Sequence, residues 1–310
     1  MYVAGPAVEG KFHRMRYGFY SRKSCLLFAL IIGLCAACGA RADDSPPNLA
    51  TTAQGADALV HEVVYNEIDA QVRDRSLWCH REQTQEDGKP SKTAEICETR
   101  DGDLERIVAV DGKELSLAQS QAEDRRIQEI IDHPDQLKSK QKKQHEDGEQ
   151  ERNMFKMFVD AFRFQVERQS GELVTLRFRP NPAFRPTTRA SQVFHHMEGT
   201  LVVNTERKRL VEVDGRITSE VKFLGGLLGH LDKDGTFTVR QEDVGSGHWD
   251  LTYLNVHMNG KVLCFKSITV LQKKTLSDYK LLPGSVTLQQ TADLLRRDFI
   301  ANNSGVSSGK

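Results

Sequence analysis

EGTLVVNTERKRLVEVDGRITSEVKFLGGLLGHLDKDGTFTVRQEDVGSGHWDLTYLNVHMNGKVLCFKSITVLQ, residues 198–272, is the stretch that decides the fold. Short runs rich in Val, Leu, Phe and Thr alternate with turn-forming pairs. The runs predict strands over 198–204, 208–213, 217–223, 235–243, 248–257 and 261–272. Turn signals separate them at Asp214-Gly215, Asp234-Gly235, Gly245-Ser246-Gly247 and Asn259-Gly260, while Gly225-Gly226 and Gly229 bend the chain. Consecutive short strands joined this way form an antiparallel meander rather than helix-linked parallel units. In HWDLTYLNVHM the alternation sends Trp249, Leu251 and Tyr253 to one face and Leu254 and Val256 to the other. Apolar residues on both faces predict a sheet with helices on one side and further apolar material on the other.

Upstream, two more strands are expected at 162–168 and 172–179, around Gln169-Ser170-Gly171. Before them, residues 117–160 are dominated by helix formers, interrupted at His133-Pro134-Asp135 and softened at Gly148. Ser116 is a candidate cap. The run KSKQKKQHEDGEQER within this stretch has almost no apolar residue and reads as a solvated helix face. Met154, Phe155, Phe158, Ala161 and Phe162 then recur at helical spacing, a stripe expected to dock on the sheet as core. Further upstream, Leu59, Val60, Val63, Val64, Ile68 and Val72 predict an amphipathic helix over 56–73. Strands follow at 76–85, 91–99 and 104–110, broken at Asp87-Gly88 and Asp101-Gly102.

Cys79 and Cys97 lie on the first two of these strands. If Glu86 to Pro90 form a five-residue hairpin loop, Gln85 faces Ser91, and counting outward sets Cys79 opposite Cys97. That register predicts a cross-strand disulfide in an oxidising compartment. Two cysteines without a His pair make a poor zinc site. Cys264 reads as a small core residue.

Export is the expectation from the opening residues. Arg14, Arg16, Arg22 and Lys23 precede the apolar run CLLFALIIGLCAAC (25–38), and Ala40-Arg41-Ala42 then precedes Asp43-Asp44. A basic region, a short apolar region and a small-residue cleavage site are the parts of a secretory signal peptide. The apolar run falls short of the roughly 20 residues of a membrane span. Met1 and Met15 are both candidate starts, and lipidation at Cys38 is the second reading beside cleavage near Ala42. The division that follows is a signal peptide over 1–42, a polar linker over 43–54, one domain over 55–295 with a helical insertion at about 116–160, and a disordered tail over 296–310.

Charge refines this picture. The 310 residues carry 43 basic and 43 acidic side chains, but the first 42 hold six of the basic and one of the acidic. The remainder is mildly acidic, which excludes a nucleic-acid binder held by a dominant positive field.

Glu198-Gly199-Thr200-Leu201-Val202-Val203, then Lys208-Arg209-Leu210-Val211-Glu212-Val213-Asp214-Gly215, carry a strand-and-turn theme. It returns in Gly235-Thr236-Phe237-Thr238-Val239, after Trp249, and from Gly260-Lys261 to Phe265-Lys266. Over about 195–275 this resembles the later meander of the LolA/LolB-like periplasmic lipoprotein carriers and their outer-membrane lipoprotein-sorting relatives. The resemblance implies an α+β fold, a half-open antiparallel β-barrel whose concave face is covered by helices over a hydrophobic cavity. The charged helical insertion departs from the compact carriers. By sheet parity, Phe178, Phe237, Trp249, Leu251, Tyr253 and Phe265 are the candidates to line such a cavity.

Catalytic and metal motifs fail on inspection. His61-Glu62-Val63-Val64-Tyr65 has Tyr where a zinc protease needs its second His. Gly305-Val306-Ser307-Ser308-Gly309 matches a nucleophile-elbow pattern without the strand and helix that an elbow needs. Asp232-Lys233-Asp234-Gly235 would place His230 and Gln241 where a calcium loop needs acids. Adjacent His195-His196 on a strand would face opposite ways. Arg177, Arg179, Arg185 and Arg189 form a basic segment suited to anionic headgroups or an acidic partner, or else paired to nearby Glu. The expectation is a non-enzymatic, monomeric envelope protein with no metal or cofactor, binding a lipid or lipoprotein acyl chain. The alternative is an interaction or sensor module that recognises an envelope protein partner and holds no ligand.

Overall fold

A computed structural model describes residues 52–188, 190–223, 229–262 and 266–304. Helix α1 (Thr52–Arg73) leads into a ladder of β1 (Leu77–Glu86), β2 (Lys92–Cys97), β3 (Leu104–Val110) and the two-residue β4 (Lys113–Glu114). Helices α2 (Leu117–Asp132) and α3 (Asp135–Ala161) follow, then β5 (Phe162–Ser170) and β6 (Leu173–Pro180). A 3-10 turn (Ala190–His196) precedes β7 (Met197–Asn204), β8 (Arg209–Ile217), β9 (Val221–Phe223) and β10 (Gly229–Leu231). Then follow β11 (Thr236–Asp243), β12 (Trp249–Val262), β13 (Lys266–Leu282) and helix α4 (Leu288–Ser304).

All thirteen strands of the described residues join one antiparallel sheet, in the order β4-β3-β2-β1-β13-β12-β11-β8-β7-β6-β5. The short β9–β10 pair attaches where β10 meets the far end of β12. The edges β4 and β5 do not pair with each other in this order, so the sheet is open. What stands of the expected half-barrel is an α+β fold with one large antiparallel sheet. Most neighbours are consecutive in sequence, as hairpin turns dictate. The exceptions are β8 with β11, β10 with β12, and above all β1 with β13, which joins the first strand to the last along nine residue pairs from Leu77↔Leu282 to Glu86↔Gln272.

Local chemistry explains the elements. Ser116 caps α2 through a capping box, its hydroxyl accepting the Gln119 N–H while the Gln119 side chain accepts the Ser116 N–H. His133 and Pro134 separate α2 from α3, because the residue before proline is turned away from helical geometry. Gly148 interrupts nothing, and α3 runs through it. Turns form at Gly171, Asp234 and Gly245-Ser246-Gly247, all with left-handed backbone.

Two expected turns are corrected. Strand β8 continues through Asp214-Gly215, and β12 continues through Asn259-Gly260. In both places the glycine answers a close approach. A Cβ on Gly215 would sit 2.3 Å from the Phe237 ring, and one on Gly260 would sit 2.3 Å from the His230 carbonyl oxygen. Strand β13 accordingly starts at Lys266 and runs on to Leu282, ten residues past the expected end. The segment 296–310, expected as a disordered tail, is helical as far as Ser304. Leu295 of the same helix packs with Ala292, Ile127, Leu104 and Cys97, which ties α4 to α2 and to the β2–β3 region. Residues 52–54 of the expected linker belong to α1. Cleavage near Ala42, Cys38, Cys264, Phe265, Arg189 and the 305–309 motif lie outside the described residues.

The main core lies between the sheet and the helices α1 and α3. Val60, Val63 and Val64 of α1 meet Phe155, Phe158 and Ala161 of α3 over inward residues of β5 to β8, β11 and β12. Val72 lies beyond that contact and is exposed. Phe158 has Phe155, Phe162, Phe164 and Phe178 around it at 4.7–6.3 Å between ring centroids. The charged run of α3 lies largely in solvent. Cys79 and Cys97 are directly paired in the β1–β2 register and joined by a disulfide. Among the described residues no helix is long and apolar enough to cross a membrane.

Candidate functional site

A cleft of about 490 Å³ opens where the C-terminal end of α1 meets the starts of β1 and β12. That volume falls within the roughly 300–1,000 Å³ of small-molecule sites. Its apolar wall comes from Ile68, Trp78, Phe155, Val239, Trp249, Leu251 and Leu281. Its polar wall comes from Glu67, Arg73 and Asp74 at the end of α1, Glu98 after β2, Arg209 on β8, and His248 and Asp250 around the start of β12. The non-local pairing of β1 with β13, together with the pairing of β13 with its sequence neighbour β12, is what sets Trp78 near His248.

His248 is the hub of the polar wall. Its Nδ1 lies 2.8 Å from Asp74 Oδ2 and its Nε2 lies 3.1 Å from Asp250 Oδ2. The ring stacks on Trp78, with centroids 4.6 Å apart and planes at 16°. Asp74 also accepts a 2.6 Å hydrogen bond from Ser76 Oγ, and Ser76 Oγ accepts from the Trp78 indole N–H at 2.7 Å. A serine, a histidine and an aspartate therefore meet here in a connectivity unlike a catalytic triad. The Ser hydroxyl donates to the Asp, and both ring nitrogens face carboxylates, so neither is turned to take the hydroxyl proton.

On the facing end of α1, Glu67 is buried against β8. Its Oε2 lies 3.0 Å from Arg209 Nη2 and its Oε1 accepts the Leu210 N–H at 2.8 Å. Burial pushes the Glu67 carboxyl above its ordinary value, while Arg209 and the Leu210 N–H pull it down and nearby Asp250 pushes it up again. The guanidinium of Arg209 in turn lies 5.9 Å over the Trp249 ring.

The disulfide braces one wall. Trp78 and Glu98 flank Cys79 and Cys97, and they hold each other through Trp78 N–H to Glu98 Oε2 at 3.0 Å and Glu98 N–H to Trp78 O at 2.9 Å.

Of the residues singled out by parity, Trp249 and Leu251 line this cleft. Phe178 and Phe237 lie in the packed core, 0% and 4% exposed. Tyr253 does not share a face with Leu251. Arg240 pairs with Tyr253 while Gln241 pairs with Leu251, so Thr252 is an extra residue and the alternation slips. Leu251 thereby joins Leu254 and Val256 in the core, and Tyr253 meets Arg240 and Lys273 instead.

In the basic segment, Arg177 and Arg179 are exposed on one face of β6. Arg177 pairs with Glu167, Arg179 stands opposite Arg163, and Arg185 donates to the Pro182 and Phe184 carbonyls. His195 and His196 end the 3-10 turn rather than lying on a strand, and His196 Nδ1 lies 2.7 Å from Ser219 Oγ. Burial, then the neighbouring His195, push the His196 pKa down. Glu62 pairs with Lys208 at 3.1 Å. Among the described residues no group of three or more His, Cys, Asp or Glu is placed to hold a metal ion.

Sequence reasoning missed Glu67, Asp74, Trp78, Glu98, Arg209, His248 and Asp250. One signal was available: the chain has two tryptophans, and one of them stands in His248-Trp249-Asp250. Compared with known proteins, the chain matches no family model, no curated protein and no solved structure.

Proposed function

We propose that the protein is an exported, non-enzymatic envelope protein that binds the acyl chain of a lipid or lipoprotein, as a carrier or sensor. The observation that carries this reading is the cleft, a hollow of small-molecule size with an apolar wall and a polar wall side by side. An amphiphile has the same two parts, a chain for the first and a head for the second. The engagement of both His248 nitrogens by carboxylates favours binding over acyl transfer, which needs a free base beside a nucleophile. The open antiparallel sheet with helices packed on it is compatible with a LolA-like half-barrel. The Cys79–Cys97 disulfide suits an oxidising compartment, in keeping with cleavage near Ala42.

The test uses the full chain produced in a host with an export pathway. Native mass spectrometry is expected to find a co-purifying amphiphile, and a fluorescent fatty acid is expected to bind and be displaced by unlabelled chains. A protein that emerges ligand-free and binds no chain overturns the reading. Amino-terminal sequencing of the exported product is expected to begin at Asp43.

The alternative reading, an interaction module without ligand, draws on the exposed charged face of α3. A stoichiometric envelope partner that is lost on neutralising that face, together with an empty cleft, would favour it.

A further inference from the structure

We infer that the outer face of the β5–β6 hairpin is a docking surface for a membrane that presents anionic phosphate headgroups. Residues 162–185 hold five arginines, Arg163, Arg168, Arg177, Arg179 and Arg185, against two glutamates, Glu167 and Glu172, in a chain whose basic and acidic residues are equal in number. Four of the five arginines share one face. Arg177 and Arg179 alternate with the buried Leu176 and Phe178, so they point away from the core. Arg163 stands directly opposite Arg179, and a bulge between Val166 and Arg168 sets Arg168 opposite Thr175, on that same face.

Few carboxylates answer them. Arg177 pairs with Glu167, and Arg163 lies 3.6 Å from Asp57 of α1, which also accepts the Phe164 N–H. Glu172 lies in the turn, and Glu198 on β7 is held by Arg216 at 2.5 Å. Arg168 and Arg179 are exposed, and among the described residues neither has a carboxylate within ion-pair reach. Two like charges directly opposite on neighbouring strands repel, and anions settling on the face relieve that cost. Guanidinium forks match phosphate oxygens two at a time. Leu173, 38% exposed, continues the row of Arg179, Arg177 and Thr175 and offers an apolar contact at the headgroup boundary. The choice of a membrane over an acidic protein rests on the amphiphile-binding reading proposed above, since a membrane is where acyl chains reside. Asn204 pairs with Leu173 on one side and with Arg209 of the cleft wall on the other, so the turn of the hairpin and the cleft lie at the same end of the sheet.

The full exported chain is sedimented with vesicles of phosphatidylcholine alone, and with vesicles carrying about 30% phosphatidylglycerol, at low salt and at about 0.5 M salt. Binding is expected to the anionic vesicles only, and to fall as salt screens it. Arg168→Gln and Arg179→Gln replace exposed side chains that hold no ion pair, so the fold should survive both. Each is expected to weaken vesicle binding about fivefold, and the two together roughly twentyfold. Arg125→Gln removes the same charge from an exposed position on α2, which packs at the β3 end of the sheet, and should change binding less than about twofold. An equal loss in Arg125→Gln overturns the docking face. Anionic vesicles left unbound while a fluorescent fatty acid still binds overturn it too, and leave the cleft reading standing. Failure of vesicles and fatty acid alike overturns both. Binding to soluble polyglutamate but not to vesicles, lost in the Arg168 and Arg179 variants, assigns the face to an acidic protein and overturns the membrane.

Discussion

Glu67 of α1 and Arg209 of β8, separated by 142 positions in the chain, meet at 3.0 Å with their side chains only 8% and 12% exposed. The second oxygen of the same carboxylate takes the Leu210 N–H, so one side chain fixes the helix to two consecutive residues of the strand. This contact also forms part of the cleft wall, which couples the stability of the α1–sheet packing to the shape of the site.

Glu67→Ala should therefore cost about 3–5 kcal/mol, because it leaves a largely buried guanidinium without its carboxylate. Urea unfolding followed by far-ultraviolet circular dichroism measures it. A loss below 1 kcal/mol, the range of an exposed pair, would show that the contact is not closed in solution.

The pH dependence carries a definite sign. Burial holds the Glu67 carboxyl above its ordinary 4.5, so the native state binds this proton more tightly than the unfolded chain. Its contribution to stability is fully present below about 4.5 and is lost as pH rises through the higher folded value. The Glu67→Gln variant lacks that titration. The stability of the unmodified protein relative to Glu67→Gln should fall between pH 4 and pH 8, and a difference that grows across that range contradicts the direction.

Gly215→Ala tests the glycine that reads as a turn in sequence. Its new Cβ meets the Phe237 ring at 2.3 Å in the interior of β8, a clash expected to cost about 1–3 kcal/mol. Adding Phe237→Leu should recover part of the loss, a non-additive pair in a double-mutant cycle. Additive effects would place the ring elsewhere.

Reduction of Cys79–Cys97, or the double substitution to Ser, opens a loop of 18-residue separation and should cost about 3 kcal/mol. Because Trp78 and Glu98 flank the bridge and line the cleft, chain affinity should fall alongside stability. Full affinity in the reduced protein, with the fold intact, would separate the bridge from the site.

Much of the fold was legible in sequence because its determinants are local. The α1 stripe, the Ser116 cap, the break at His133-Pro134 and the Cys79–Cys97 register all depend on residues within one element or one hairpin. The misread positions depend on a distant neighbour. Gly215 and Gly260 look like turn residues until Phe237 and the β10 backbone are placed against them. The extra residue at Thr252 reverses the face of everything on one side of it, and a period of two carries no warning of such a slip.

By itself the sequence determined the element types, the antiparallel hairpins, the disulfide partners and which helix stripe is buried, since these follow from side-chain periodicity and turn chemistry over a few residues. Only the tertiary structure decided that the first strand pairs with the last, that the sheet stays open, and that Glu67, Asp74, Trp78, Arg209, His248 and Asp250 converge on one cleft. Those residues come from segments up to 183 positions apart. Such convergence is set by the sum of strand pairings and helix docking across the whole chain, and no local pattern encodes that sum.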